Sequence, residues 1–218
     1  MVDFQSRDTR RHGDDEDGDS SGRSENSSDD STGHGGPDHD DHGHDNAHDD
    51  HDHHAHDVES LGAAVVTVSS SRSLSDDPSG DAVVARLEDE GHKVVSRDLI
   101  ADDYDNVQGS IDALTGRGDV DVVVTTGGTG VTPDDVTIEA VEPLFDKELP
   151  GFGELFRLLS HDEIGTKVVG TRATAGIIDG VVVFCLPGSE NAAKLGVEEI
   201  IVEEAGHLAG LASRDEES

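Results

Sequence analysis

The sequence has few of the residues that cross-link or anchor a chain. Cys185 is the only cysteine in 218 residues, and tryptophan is absent. One cysteine cannot form an internal disulfide framework or a cysteine-based zinc site. It lies in the apolar run VVVFCLPG, which predicts a buried thiol in the core. No apolar run approaches the roughly 20 residues that a membrane-spanning helix needs, so we expect no membrane partner.

Basic residues are also scarce. The chain has 15 Lys and Arg against 50 Asp and Glu, for a net charge of −35. Such a charge repels nucleic acid and anionic membranes. The first 57 residues contain 18 acidic side chains and four arginines, which leaves −21 for the remainder. Acidity in both parts predicts adaptation to high salt, where screening removes the cost of self-repulsion. An ordinary acidic protein is the alternative.

The amino-terminal 57 residues are dominated by Gly, Ser, Asp and His and hold almost no apolar side chains. Such a stretch cannot bury enough surface to offset its chain entropy, so we predict a disordered tail over residues 1–57 and a folded domain over residues 58–214. Arg10 and Arg11 are followed by Gly, Asp and Glu without a hydrophobic region. A twin-arginine signal is therefore not predicted, and we expect a cytoplasmic protein.

The second half of the tail is a His/Asp repeat, DHDDHGHDNAHDDHDHHAHD. Imidazole and carboxylate groups together bind divalent transition metals, and a flexible tract can fold around the ion. The alternative is a solvated polar tail that binds metal only incidentally. The candidate ligands are His42, His44, His48, His51, His53, His54 and His56.

Strand and helix patterns alternate through the rest of the chain. Short apolar runs predict strands at residues 61–68, 92–100, 120–124 and 181–186. Helical apolar spacing follows the first three of them, and residues 190–212 predict one or two carboxyl-terminal helices. This alternation predicts an α/β fold of three layers, doubly wound around a mostly parallel sheet. Residues 149–159 predict an amphipathic helix, either in the core or at a subunit interface.

The chain is organised around a glycine-rich turn, TTGGTG, between the third strand and a helix. In this geometry backbone N–H groups can surround an anion. The turn is neither GxGxxG nor a Walker A loop, because no lysine follows the glycines. A tight turn that needs glycine only for positive φ is the alternative. A second turn, PGS after residue 186, is expected to lie beside the first.

Two carboxylates are expected at the same edge of the sheet. Asp102 follows the second strand, and Asp135 precedes a helix for which Thr137 is the expected N-cap, with Asp134 or Asp135 as the alternative cap. Carboxylates beside a phosphate-binding loop would repel the ligand unless a hard cation lay between them. Mg²⁺ uses one or two carboxylates and takes phosphate oxygens and water for the rest. The residues alone thus predict a metal-assisted reaction on a nucleoside triphosphate.

Several motifs resemble one family, in the same order along residues 61–212. They are TVS, SGD, TTGGTG, DVT, PLFDKELPGFGELFRLLS, EIGT and FCLPGS. They are similar to the molybdopterin-binding domain of the MogA and MoaB proteins of molybdenum cofactor biosynthesis, and PGFGELFRLLS and EIGT are closer to the MoaB branch. Ala101, Ile138 and Ser70 depart from residues that are common in the family.

The resemblance implies a three-layer α/β domain that uses Mg²⁺ and ATP to adenylylate molybdopterin in the molybdenum or tungsten pathway. It places catalysis and Mg²⁺ binding on Asp102 and Asp135. It also implies a homotrimer or hexamer, with the downstream metal-insertion protein as a further partner. A non-catalytic molybdopterin carrier is the alternative. The substrate-binding residues that it implies are Thr67, Ser69, Ser79, Gly80, Thr126, Gly127, Gly128, Thr129, Gly130, Pro187, Gly188 and Ser189.

Overall fold

A computed structural model describes residues 57–213. The predicted disordered tail and its histidines lie, except for Asp57, outside the described residues. Among the residues that are described, no helix is long and apolar enough to cross a membrane.

Six strands form one sheet in the order β2-β1-β3-β6-β5-β4. Neighbouring strands β2, β1, β3 and β6 are parallel, whereas β5 and β4 add to the edge in antiparallel pairing. The strands are β1 (Gly62–Val68), β2 (Lys93–Ile100), β3 (Val122–Thr126), β4 (Lys147–Glu148), β5 (Thr174–Ile178) and β6 (Val181–Leu186). The helices are α1 (Pro78–Asp89), α2 (Tyr104–Thr115), α3 (Thr137–Val141), α4 (Pro150–Ile164), α5 (Glu190–Gly196) and α6 (Val202–Ala212), with a π-helical stretch, Val197–Ile201, between the last two.

The predicted three layers follow from apolar side chains on both faces of the sheet. Along β3, Val122 and Val124 face one core with α1, α4, α5 and α6, while Val123 faces a second core with α2 and α3. Successive side chains of a strand point to opposite faces, so a strand buried on both sides must be apolar at every position. The first three residues of β3 and the whole of β6 meet this requirement.

Three helices begin where a side-chain oxygen accepts a backbone N–H. Asp77 caps α1 through the N–H of Gly80, Asp103 caps α2, and Ser189 caps α5. These oxygens satisfy N–H groups that the first helical turn leaves without partners. Asp77 ends the loop after β1, and Ser189 ends the turn after β6. Both connections lie at the carboxyl edge of the sheet, so the two caps also fix them in place.

The structure adds two strands to the predicted sheet and corrects one prediction. The sheet contains β4 and β5, which the apolar pattern did not reveal, because β4 has two exposed residues and β5 includes Gly176. Thr137 is not the N-cap of α3 but its first residue, and its hydroxyl donates to the carbonyl of Gly127 at 2.8 Å. Val136 occupies the cap position, with no side-chain cap.

The connections from β1 run in opposite directions across the sheet. The chain passes from β1 outward to β2 on one face, and then returns past β1 to β3 on the other. A crevice opens where the winding reverses, at the carboxyl ends of the strands. In this fold the reversal lies between β1 and β3, so the loops after these strands border the crevice.

Candidate functional site

A cavity of about 480 Å³ lies at the carboxyl ends of β1, β3 and β6. The glycine turn and the PGS turn meet there, as the sequence predicted: the N–H of Gly127 donates to the carbonyl of Leu186 at 2.9 Å. The cavity is lined by Val68, Ser69, Ser71, Arg72, Gly127, Gly128, Thr129, Gly130, Asp135, Gly170, Thr171, Pro187, Gly188 and Ser189.

The glycine turn needs glycine for two reasons, conformation and space. Gly127 and Gly128 have φ of 102° and 64°, in the left-handed region. A Cβ on Gly127 would lie 2.3 Å from the carbonyl oxygen of Val68, and one on Gly128 would lie 2.2 Å from Thr137 Oγ1. The turn therefore packs directly against the end of β1 and the start of α3.

Gly128 and Thr129 of the turn line the cavity. In the part of the chain that the structure describes, the backbone N–H groups of these two residues donate no hydrogen bond. The carbonyls, by contrast, are occupied, since Thr137 donates to Gly127 and Gly128. Unpaired N–H groups in consecutive residues form a concave site for an anion.

Arg172 holds the turn from behind. Its Nε donates to the carbonyl of Gly130 at 2.7 Å, its Nη2 to that of Asp135 at 3.2 Å, and its backbone N–H to that of Thr129 at 3.3 Å. Glu139 pairs with the same guanidinium through both carboxylate oxygens. Arg172 thereby connects the segment just before β5 to the glycine turn and to α3. The sequence did not reveal this role.

Asp135 is the acidic side chain on the cavity wall. Burial raises the pKa of its carboxyl, but hydrogen bonds from the hydroxyl and N–H of Thr132 and from the N–H of Gly130 outweigh burial, so the net pKa is lowered. Both Thr132 donors bind Oδ2, at 2.7 and 2.8 Å. The group is ionised at neutral pH and lies beside Gly130, where a Cβ would come within 2.7 Å of it.

Asp102, the other predicted catalytic aspartate, does not line the cavity. Its Oδ2 accepts the N–H of Ser70 at 2.6 Å, and its own N–H donates to Ser70 Oγ at 3.1 Å. Ser70 lies between Ser69 and Ser71, which do line the cavity. Asp102 is therefore placed one residue behind the cavity wall and holds the loop after β1 in place.

Four predicted binding residues, Thr67, Ser79, Gly80 and Thr126, lie beneath the cavity. They surround Asp77, which is 1% exposed. The Asp77 carboxylate accepts three hydrogen bonds from them: from Thr67 Oγ1 at 2.7 Å, from Ser79 Oγ at 3.1 Å and from the N–H of Gly80 at 3.1 Å. Thr126 Oγ1 contacts the hydroxyls of Thr67 and Ser79. Burial raises the pKa of Asp77, but these bonds and one from Arg97 lower it overall.

Arg72 and Asp77 were not among the predicted site residues. Both lie in SSSRSLSDDPSG, whose composition is that of a polar loop. The available signal was the single cationic residue in that loop, four positions before a pair of aspartates. Arg72 lines the cavity, and its Nη1 lies 3.7 Å from Asp77 Oδ1.

Carboxylates are the protein groups of this site that could hold Mg²⁺. Within residues 57–213 no group of three or more His, Cys, Asp or Glu side chains could hold a metal ion. Magnesium does not require one, since it takes one or two carboxylates and completes its shell with phosphate oxygens and water. Asp135, ionised and at the cavity wall, fits this requirement, and the histidines predicted to bind transition metals lie outside the described residues.

Comparison with known proteins adds a family. Residues 64–207 match the family model described as a probable molybdopterin binding domain. The chain is 45% identical over 145 residues to molybdenum cofactor biosynthesis protein B of Bacillus cereus, which covers 66% of this chain and 86% of that protein. It is 41% identical over 138 residues to the protein of the same name in Escherichia coli K12, covering 63% and 81%.

Solved structures agree with these relatives. A crystal structure of molybdenum cofactor biosynthesis protein B superposes with a TM-score of 0.69 at 42% identity, covering 72% of this chain and 99% of that one. The tungsten cofactor synthesizing protein MoaB from Pyrococcus furiosus superposes with a TM-score of 0.63 at 43% identity, with the same coverage of 72% and 99%.

Proposed function

The chain belongs to the molybdopterin-binding domain family, as its motifs predicted, and from this we propose that it acts in molybdenum or tungsten cofactor biosynthesis. Within that role we propose that it is a molybdopterin adenylyltransferase. In this reaction a phosphate oxygen of molybdopterin forms a bond to the α-phosphorus of ATP while pyrophosphate leaves.

One observation carries the proposal: a row of unpaired backbone N–H groups lies next to an ionised aspartate in the same cavity. The N–H groups of Gly128 and Thr129 suit a phosphate group. Asp135 would repel that phosphate unless a cation came with the substrate. A site that only carried an anion would gain nothing from such a carboxylate, whereas a site for Mg-ATP needs one.

Each residue has a part in the reaction. The glycine turn binds the phosphate of molybdopterin, and Arg172 keeps the turn rigid through the carbonyls of Gly130 and Asp135. Asp135 would hold Mg²⁺ through the oxygen that Thr132 leaves free. When bound, the ion neutralises charge that develops on the phosphates. Asp102 fixes the loop after β1 through Ser70, and its half-buried side chain keeps enough exposure to contact ATP.

The proposal is tested by pyrophosphate release from the full chain with molybdopterin, ATP and Mg²⁺, in buffer at molar salt. Wild type is expected to release pyrophosphate only when all three are present. Asp135→Asn keeps the shape of the side chain and its contact with Thr132 but loses the charge, so we expect release to fall at least ~100-fold because charge stabilisation of this kind contributes on that order. The exposed Asp134→Asn serves as the matched control.

If wild type bound molybdopterin without releasing pyrophosphate, the chain would be a carrier and the enzyme proposal would fail.

The assembly of the chain into an oligomer is a separate part of the proposal. Phe152 and Phe156 of α4 are buried in the core, while Leu155 and Leu158 are 41% and 68% exposed. We propose that this outer face packs against another subunit in a trimer or hexamer, which sedimentation of wild type and Leu158→Glu would test.

A further inference from the structure

Arg72 is the one cationic side chain among the described residues that line the cavity. It stands in a chain of net charge −35. A phosphate that approached the glycine turn would meet an unfavourable potential from such a chain. A cation in the wall is therefore an electrostatic requirement of the site, and Arg72 is placed to meet it.

The guanidinium is fixed rather than free in solvent. Its Nη1 donates to Ser79 Oγ at 2.7 Å, and its Nη2 donates to the carbonyl of Gly188 at 2.9 Å. Gly188 in turn lies against the glycine turn, because a Cβ on it would come within 3.1 Å of the Cα of Gly127. Arg72 thus reaches from the base of α1 to the PGS turn, next to the first residue of the anion site.

Asp77 accounts for that placement. Its carboxylate is buried, accepts a hydrogen bond from the Ser79 hydroxyl, and lies 3.7 Å from Arg72 Nη1. Since the hydroxyl of Ser79 donates to Asp77, its lone pairs are left to accept from Arg72. The negative charge of Asp77 attracts Arg72 Nη1, and the Ser79 hydroxyl accepts a hydrogen bond from the same nitrogen.

The cavity consequently has a cation at one end and a carboxylate at the other. Gly127 lies at the Arg72 end and Gly130 lies at the Asp135 end. An arginine has more N–H donors than the two bonds to Ser79 and Gly188 use, and its planar fork suits a phosphate. We propose that Arg72 binds the phosphate monoester of the substrate at this end of the turn, and that Asp77 is a positioning residue that acts through Arg72.

This inference rests on the proposed function for the identity of the anion, but its test does not need turnover. Inorganic phosphate is titrated into the full chain in the same molar-salt buffer, and its Kd is measured by calorimetry. Arg72→Gln is expected to raise the Kd about tenfold or more, since hydrogen bonds to charged groups contribute affinity of that order. Arg72→Lys keeps the charge but loses the planar fork, so its Kd is expected to lie between those of wild type and Arg72→Gln. Arg117→Gln, an arginine paired with Asp119 away from the cavity, controls for net charge.

A double-mutant cycle tests the positioning role. Asp77→Asn is expected to raise the Kd several-fold in the wild-type background and not at all in the Arg72→Gln background, because its effect passes through Arg72. A purely structural role would weaken binding equally in both backgrounds and would overturn this part. Phosphate bound equally by Arg72→Gln and Arg117→Gln, or not bound by wild type, would overturn the whole inference. A chain that binds phosphate through Arg72 but releases no pyrophosphate would refute the proposed function alone.

Discussion

Replacing Gly127 by alanine separates an anion site from a tight turn. Gly127 has φ of 102°, and an alanine Cβ would lie 2.3 Å from the carbonyl oxygen of Val68. That oxygen belongs to the backbone of a central strand and cannot move as a flexible side chain would. The turn must therefore shift away from β1, taking the unpaired N–H groups of Gly128 and Thr129 with it.

The size of the effect follows from the contacts. A left-handed backbone costs a residue with a Cβ about 1–2 kcal/mol, and loss of the Gly127 to Leu186 hydrogen bond adds about 1 kcal/mol. We expect Gly127→Ala to lower the free energy of unfolding by about 2–3 kcal/mol, or Tm by roughly 4–12 °C for a chain of this size. Because the displaced N–H groups no longer face the phosphate, pyrophosphate release should fall by about 100-fold.

Gly91→Ala is the matched control. Gly91 also has positive φ, 86°, but a Cβ there would have nothing within 4 Å. It should cost about 1–2 kcal/mol of stability from backbone strain alone and leave pyrophosphate release unchanged. Thermal unfolding and the release assay are run on both variants below their Tm. Equal destabilisation and equal activity of the two variants would refute the packing argument for the turn.

Three further predictions concern the supports of the site and the tail. Arg172→Gln breaks the hydrogen bonds to the carbonyls of Gly130 and Asp135. It should lower kcat for pyrophosphate release about tenfold and leave the circular dichroism spectrum unchanged. An unchanged kcat would contradict the role of Arg172 in holding the glycine turn. The folded-state pKa of Asp77 lies below its ordinary 3.8, so its contribution to stability is present above that pH and is lost as pH falls through the folded pKa. The stability difference between wild type and Asp77→Asn, from urea unfolding, should therefore shrink toward low pH; a constant difference would contradict this. Deleting residues 1–56 should abolish high-stoichiometry Ni²⁺ or Zn²⁺ binding in calorimetry and leave release at saturating Mg²⁺ intact; a fall in release would show that tail and site are coupled.

The parallel part of the sheet could be predicted because burial on both faces leaves a simple pattern. Val122, Val123 and Val124 are apolar in succession, and only a strand covered on both sides requires that. The antiparallel edge leaves no such pattern. In β4, Lys147 and Glu148 are exposed and pair with β5 through backbone groups alone, which any side chain permits.

The candidate site divides in the same way. The glycine turn directly follows β3, and Asp135 lies only nine residues beyond the end of that strand, so their meeting could be predicted. Asp77 owes its burial to Thr67 on β1 and Arg97 on β2, and Arg72 owes its position to Gly188, 116 residues away. Such contacts are set by tertiary packing, and composition assigned both residues to an ordinary polar loop. Adaptation to high salt and the domain boundary at residue 58 stay predictions.

The most direct test of the central claim is a single-turnover reaction with the full chain in excess over molybdopterin, with Mg-ATP at molar salt, followed by mass spectrometry. Wild type should convert bound molybdopterin to its adenylylated form with one equivalent of pyrophosphate, and Asp135→Asn should retain unmodified molybdopterin. Molybdopterin that stayed bound and unmodified on wild type would contradict the claim and identify the chain as a carrier.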